Sequence, residues 1–458
     1  MQMTPEAVIL DPYRPYAPML IQRLYARHGV RTICLHSTWR ERLLLEGRSP
    51  VLRSAAVSAH YMVADHDWRT VARRLAMHHS IVAVLPYEEG MVRPLTIIAE
   101  ELGLSWSQPQ VQYAFRDKFA LKALVSSNDP SIRLNTFARV SSVDDVLSVV
   151  RTHRLQRYVL KPNSGSGNQN VAFFEHDASP VEVGAYLAKV GSDVLMEEYL
   201  NGPEFWVNGQ MDAKGLPTVV GIGRYYRIHD NGVENLEVGS YSVQPDDPLF
   251  APLRDYAMSV MSATGLRRSP FHLEAIVDER GPCLVEVAAR LCGELGTLLD
   301  MRHHGPQLDL IDVAAHYYVS DHDLGALPLD WAQVSRAWVA TATGISTRDQ
   351  RLVKVDGVED VEESSSFLFW IKRPEAGDFV HQTQSLTTRA WAVTVRGDLQ
   401  TDPRVAIDGL RSTIRLQGTG DGELQLSQKW PMYRGVAGKM WASRPRPYQA
   451  RALLHPLR

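Results

Sequence analysis

The segment Phe271–Arg290 constrains this chain more tightly than any other. Two runs rich in β-formers, Phe271–Val277 and Cys283–Ala289, flank Glu279-Arg280-Gly281. That spacing predicts a hairpin with a three-residue loop and Gly281 in the left-handed position. If Asp278 pairs with Pro282, Glu274 falls directly across from Glu286. Side chains so placed have Cβ atoms ~4.5–5.5 Å apart, and like charges there repel. A divalent cation between them reverses the sign of that interaction, and carboxylate oxygens suit Mg²⁺ when phosphates complete its shell. A hairpin open to water would simply splay its glutamates. Here both runs are nearly continuously apolar, so one face is core and the other is expected under cover. Strand alternation extends the face of Glu286 to Ala288 and Arg290. Two carboxylates, a cation and a guanidinium together point to a reacting acyl or phosphoryl group.

The rest of the chain must supply the body around that hairpin. At 458 residues it is too long for one core and calls for several domains. Hydrophobic residues at 45% and charged residues at 22% exclude a disordered, collagen-like or coiled-coil protein. With 49 Lys+Arg against 52 Asp+Glu the chain lacks the basic balance of a nucleic-acid binder. No run of ~18 apolar residues exists to cross a bilayer, and the first residues lack the pattern of an export signal. Three scattered cysteines fit neither a disulfide framework nor a zinc cluster. A soluble, cytoplasmic protein is the expectation.

Strand candidates at Ala7–Leu10, Thr32–Leu35 and Ile81–Leu85 alternate with helical stretches, which predicts a parallel α/β sheet. After Gly103-Leu-Ser-Trp-Ser-Gln-Pro the texture changes, with helices expected at Arg116–Ser126 and Ser142–His153. Strands are expected at Leu134–Val140, Arg157–Lys161, Val194–Tyr199 and Phe205–Met211. Beyond Asp330 the chain is strand-rich, with one helix near Val405–Thr413 and an Arg/Pro-rich tail from Lys429. The expected divisions are 1–109, 110–330 and 331–458.

Two further stretches carry chemistry. In Lys161-Pro-Asn-Ser164-Gly165-Ser166-Gly167-Asn, a strand-end lysine precedes a loop of small residues. The ammonium can act as a point charge on phosphate while glycine lets loop amides approach. The lysine comes first and no Gly-Lys-Ser/Thr closes the loop, so it is not a Walker A motif; read alone, such a loop is more often a plain turn. In Glu197-Glu198-Tyr199-Leu200-Asn-Gly-Pro-Glu204, a strand runs into a tight turn with a carboxylate beyond. That arrangement can offer backbone groups to an adenine edge and an acid to ribose hydroxyls, or be an ordinary strand and turn.

In their order along the chain these pieces resemble the ATP-grasp superfamily, over Gln110 to about Ser320 and more loosely over the N-terminal region. The resemblance implies an α/β ATP-grasp fold with an N-terminal Rossmann-like domain and a strand-rich C-terminal domain. It implies that Lys118 and Lys161 bind phosphate and that Ser164–Asn168 form a glycine-rich lid. Glu197–Leu200 would be the adenine hinge and Glu204 the ribose ligand. Glu274 and Glu286 would hold Mg²⁺, with Mn²⁺ as an alternative. Within the superfamily the chain is most similar to L-amino acid ligases. Gly223-Arg-Tyr-Tyr-Arg227, Glu286-Val-Ala-Ala-Arg290 and Val84-Leu-Pro-Tyr-Glu-Glu-Gly90 carry that likeness. Many ATP-grasp enzymes place Asn two residues after the second glutamate. Here that position is Ala288, which leaves the number of metal ions open.

The activity so implied is ATP-dependent joining of a carboxylate, such as an amino acid, to an amine through an acyl phosphate, with Arg290 as the catalytic group. Small-molecule substrates, neither nucleic acid nor membrane, and a possible homodimer follow as expectations. Arg224, Glu237, Glu88 and His303 are candidates to touch substrate, although Glu237 also reads as a solvated loop charge. Two rivals share the nucleotide site: an ATP-grasp carboxylating enzyme, and a degenerate module that only binds nucleotide.

Overall fold

Apolar runs and amphipathic helices alternate through the first hundred residues because each strand must be covered on both faces. β1 (Pro5–Leu10), β2 (Arg31–His36), β3 (Val57–Met62) and β4 (Ser80–Val84) form a parallel sheet in the order β3-β2-β1-β4. β1 and β2 are buried along almost their whole length, as strands covered on both faces by helices must be. Tyr16, Leu20 and Leu24 of helix Tyr16–His28 pack on one face, and Leu95, Ile98 and Ala99 of helix Glu89–Glu101 on the other. β3 was not foreseen. It is an edge strand, mostly half-buried, and its Val-Ser-Ala-His-Tyr-Met lacks an apolar run.

The computed structural model describes residues 4–14, 16–38, 49–63, 67–104, 109–165, 170–293, 309–320 and 337–419. Ser166, Gly167, His303 and the tail from Lys429 lie outside these residues.

A second sheet, in the order β5-β8-β6-β7, is antiparallel and small: β5 (Phe137–Val140), β6 (Arg157–Pro162), β7 (Ala172–Glu175) and β8 (Val194–Glu198). Helices Val143–His153 and Pro180–Val190 cover one face, each started by a capping box, Ser142/Asp145 and Ser179/Glu182. Alternation then sorts the side chains. Tyr158, Leu160, Val194 and Met196 enter the core under the helices. Val159, Lys161, Leu195 and Glu197 take the other face.

The third sheet has eight strands, in the order β13-β12-β9-β10-β11-β14-β18-β16. They are β9 (Glu204–Met211), β10 (Pro217–Asp230), β11 (Val233–Ser242), β12 (Pro270–Asp278), β13 (Gly281–Ala288), β14 (Trp338–Gly344), β16 (Phe367–Lys372) and β18 (Trp391–Gly397). β15 (Gln350–Asp356), β17 (Phe379–Val380) and β19 (Arg415–Thr419) make a three-stranded companion. β11 and β14 are hydrogen-bonded neighbours, so one sheet runs through strands from 204–288 and from 338–397. Helix Phe250–Thr264 packs on Phe205, Val207, Leu273 and Ala275. The opposite face of β9 and β12, carrying Glu204, Trp206, His272 and Glu274, looks toward the small sheet. Among the described residues no helix is long and apolar enough to cross a membrane.

Candidate active site

Between the small sheet and the large one lies a cavity of about 430 Å³, within the ~300–1,000 Å³ usual for small-molecule sites. Lys118, Lys161, Gly165, Glu197–Leu200, Glu204, Arg224, Glu274 and Glu286 all line it. Ser164 is exposed and Glu237 and Glu88 stand outside the lining.

The hairpin brings Glu274 and Glu286 directly opposite each other, as the spacing predicts, by a route the sequence reading did not foresee. Asp278 pairs with Gly281, not Pro282, so the loop has two residues, Glu279 and Arg280, with Gly281 at φ 100°. The tip is pulled tight because Arg280 N–H donates to Asp278 Oδ1 at 2.8 Å. Arg133 Nη2 donates to Asp278 Oδ2 at 2.6 Å and Arg133 also binds the Gly281 carbonyl. A β-bulge at Val285 then adds the missing residue and restores the pair. The bulge also turns two successive side chains, Val285 and Glu286, to the cavity.

Lys118 opens helix Lys118–Asn128, capped by Asp117 accepting from the Ala120 amide. Its ammonium lies 3.2 Å from Glu286 Oε2 and donates to the Gly165 carbonyl at 3.0 Å. Lys161, at the end of β6, is buried and pairs with Glu197 Oε2. Burial disfavours its charge, yet Glu197, Glu286 and Glu274 outweigh that and raise its pKa. Glu197 is buried too; Lys122 and Lys161 overcome the burial penalty and hold its carboxyl at about 2.

Glu274 is held by two neighbours that the sequence reading missed. Tyr225 hydroxyl donates to Oε1 at 2.7 Å, and His272 Nε2 lies 3.4 Å from the same oxygen. The His272 ring is itself set by Asn208 Oδ1, 2.7 Å from Nδ1. Burial opposes the carboxylate, but His272, Arg227 and Tyr225 together bring it down to about 2. Glu204, at the start of β9, receives Arg227 Nε at 2.7 Å. Burial nevertheless raises its pKa, with the Glu274 and Glu286 charges adding to the effect. Period-two spacing along β10 (Tyr225, Arg227) could have flagged these partners had the strand been placed.

Glu237 is not a solvated loop charge. Val233–Ser242 is strand β11, in which Glu237 is buried opposite Arg227 with Nη1 at 3.9 Å. Glu88 binds Arg14 Nε at 2.5 Å in the N-terminal unit. Arg224 lies over the Phe205 ring at 5.8 Å. In the hinge, the amides of Glu198 and Tyr199 donate to Thr136 and Arg157 carbonyls, so they serve the fold.

Strand alternation does not reach Arg290, because β13 ends at Ala288. The guanidinium turns to the N-terminal unit, pairing with Glu89 and donating to the Leu291 carbonyl at 2.8 Å. Glu89 also takes Arg116 Nη1 at 2.5 Å. Glu89, Arg116 and Ala288 line a small crevice that shares Lys118, Gly165 and Glu286 with the main cavity.

Among the described residues no three His, Cys, Asp or Glu side chains cluster as a metal cage. Two facing carboxylates beside two lysines still fit a hard dication whose other ligands are phosphate oxygens.

Residues 157–298 match the profile of the ATP-grasp domain family. Dapdiamide A synthase of Enterobacter agglomerans is 27% identical over 253 residues, 52% of this chain and 57% of that protein. D-Alanine–D-alanine ligase of Caulobacter vibrioides is 31% identical over 142 residues, 28% of this chain and 44% of that protein. The matches thus span about half the length of these curated relatives. The crystal structure of L-amino acid ligase from Bacillus licheniformis superposes with a TM-score of 0.71 at 14% identity, covering 92% of this chain and all of that one. Residues 157–298 are therefore an ATP-grasp domain, and the chain has the ATP-grasp fold.

Proposed function

We propose that this chain is an ATP-dependent carboxylate–amine ligase acting on an amino acid or similar small carboxylate. The observation that carries the reading is the Glu274–Glu286 pair facing Lys118 and Lys161 across one cavity. A carboxylate oxygen attacks the γ-phosphorus, the bond to the bridging oxygen breaks, and ADP leaves with an acyl phosphate formed. An amine nitrogen then attacks the acyl carbon, phosphate departs and the nitrogen loses a proton.

Lys161 and Lys118 would hold phosphoryl oxygens, which is most of what a protein contributes to phosphoryl transfer. Glu274 and Glu286 would hold Mg²⁺, or Mn²⁺, which suits the same donors, and the ion would supply positive charge to those oxygens. Val159, Phe173, Tyr199 and Leu200 would wall the adenine and Glu204 would take ribose hydroxyls. Arg290, whose partner Glu89 lines the crevice beyond Glu286, would stabilise the acyl phosphate and the oxyanion that follows. One curated relative is by its name a D-alanine–D-alanine ligase, which supports joining of a carboxylate to an amine over carboxylation.

The test is a pairwise amino-acid screen that follows phosphate release and detects products by mass. Amino-acid-dependent ADP release with a condensed product is expected. ATP cleavage that needs bicarbonate instead would favour a carboxylating enzyme. Nucleotide binding with no carboxylate-dependent turnover would leave only a binding module.

A further inference from the structure

Lys122 sits four residues after Lys118, on the buried side of the same helix, and only 1% of its surface is exposed. A lysine so deep needs a reason, since burial of an uncompensated ammonium is strongly unfavourable. Its ammonium meets three acceptors: the Glu197 carboxylate, Asn135 Oδ1 at 2.7 Å and the Leu284 carbonyl at 2.8 Å. Two hydrogen-bond acceptors and an ion-paired carboxylate around one nitrogen are the pattern of a charged ammonium, because a neutral amine would turn a lone pair on one of them. The other oxygen of Glu197 binds Lys161.

The row Lys122–Glu197–Lys161 therefore carries one net positive charge. Were Lys122 absent, Glu197 would neutralise Lys161, and the ammonium facing the cavity would bring no net charge to it. We infer that Lys122 is a positioning residue of the nucleotide site: it takes up the charge of Glu197 so that Lys161 remains available to phosphate. Through the Leu284 carbonyl it also steadies β13 one residue before the bulge that aims Glu286 at the cavity. Through Asn135, whose amide donates to the Glu198 carbonyl at 3.0 Å, it reaches the hinge.

This inference rests on the nucleotide reading above, and its test separates the two. Binding of MgATP and of adenosine, which lacks phosphate, is measured by calorimetry for wild type, K122M and K122M/E197Q, together with each melting temperature. Wild type is expected to bind MgATP more tightly than adenosine. In K122M the MgATP affinity should fall about 10–100-fold, the range for losing one charge-assisted contact, while adenosine changes little. In K122M/E197Q the net charge of one returns without a buried lysine, and most of the loss should be regained. The double variant also covers the case in which K122M alone does not fold. A merely structural lysine would weaken both ligands alike, and a double variant no better than K122M would equally overturn the inference. If wild type bound neither ligand, the nucleotide reading would fall and this inference with it.

Discussion

Glu89 holds the guanidinium of Arg290 from 201 residues earlier in the chain, with one carboxylate oxygen on Arg290 and the other on Arg116. The N-terminal parallel sheet is thereby tied to the end of the glutamate hairpin. Burial disfavours the Glu89 carboxylate, and the two arginines outweigh it and lower its pKa.

Arg290→Lys should leave MgATP affinity within about threefold of wild type, because an interaction made beyond the phosphates adds little to ground-state nucleotide binding. Ligation should fall ~10²–10³-fold, the usual loss for one oxyanion-stabilising donor, since lysine cannot reproduce the planar fork. Product formation, nucleotide affinity and melting temperature are measured on one preparation. A lower melting temperature with normal ligation per folded molecule would assign Arg290 to the Glu89 ion pair alone.

Glu286→Gln should fold normally and lose turnover to below about a tenth of wild type at saturating Mg²⁺, because an amide cannot neutralise the dication. Lys118, now 3.2 Å from Glu286, loses its anionic partner without being buried deeply. Circular dichroism checks the fold and phosphate release the turnover. Substantial activity in the variant would count against Glu286 as a metal ligand.

The Glu197 carboxyl is held at about 2, below its ordinary 4.5. A depressed folded-state pKa contributes stability that is fully present above the unfolded value and lost as pH falls through the folded one. Wild type should therefore lose melting temperature between about pH 4.5 and 2. Glu197→Gln should melt lower at neutral pH, with Lys122 left buried without its counter-charge, and the gap should narrow below pH 4.5. A gap constant with pH would show that Glu197 does not act through its charge.

Gly202, in the turn between hinge and β9, packs against backbone. A Cβ there would sit well inside van der Waals distance of the Val277 carbonyl oxygen, and backbone cannot swing aside as a side chain can. Gly202→Ala should cost about 1–3 kcal/mol, as overpacked sites do. Chemical denaturation measures this, and a variant as stable as wild type would mean that the hinge turn shifts freely.

Local pattern was enough for much of the architecture. The apolar runs of β1, β2 and β4, the Ser142 helix start and the turn near Gly281 are all written in neighbouring residues. Glu274 opposite Glu286 was legible for the same reason: a short hairpin leaves few registers. Even there the loop was one residue shorter than the spacing suggested, and the bulge at Val285 made up the difference. A bulge is chosen by contacts across the sheet and leaves no periodic signal in its own strand.

What sequence alone determined was the set of chemically able groups, Lys118, Lys161, Glu204, Glu274 and Glu286, and their order along the chain. Tertiary structure alone decided their partners. Lys122 reads as one more polar residue on a helix until Glu197 arrives from 75 residues further on. Arg227 finds Glu204 across a strand pair, and Arg290 leaves the face that alternation assigned to it once β13 ends at Ala288. The physical reason is common to all three: a buried charge is settled by whichever opposite charge the fold brings within a few ångströms, and separation along the chain carries no information about that distance.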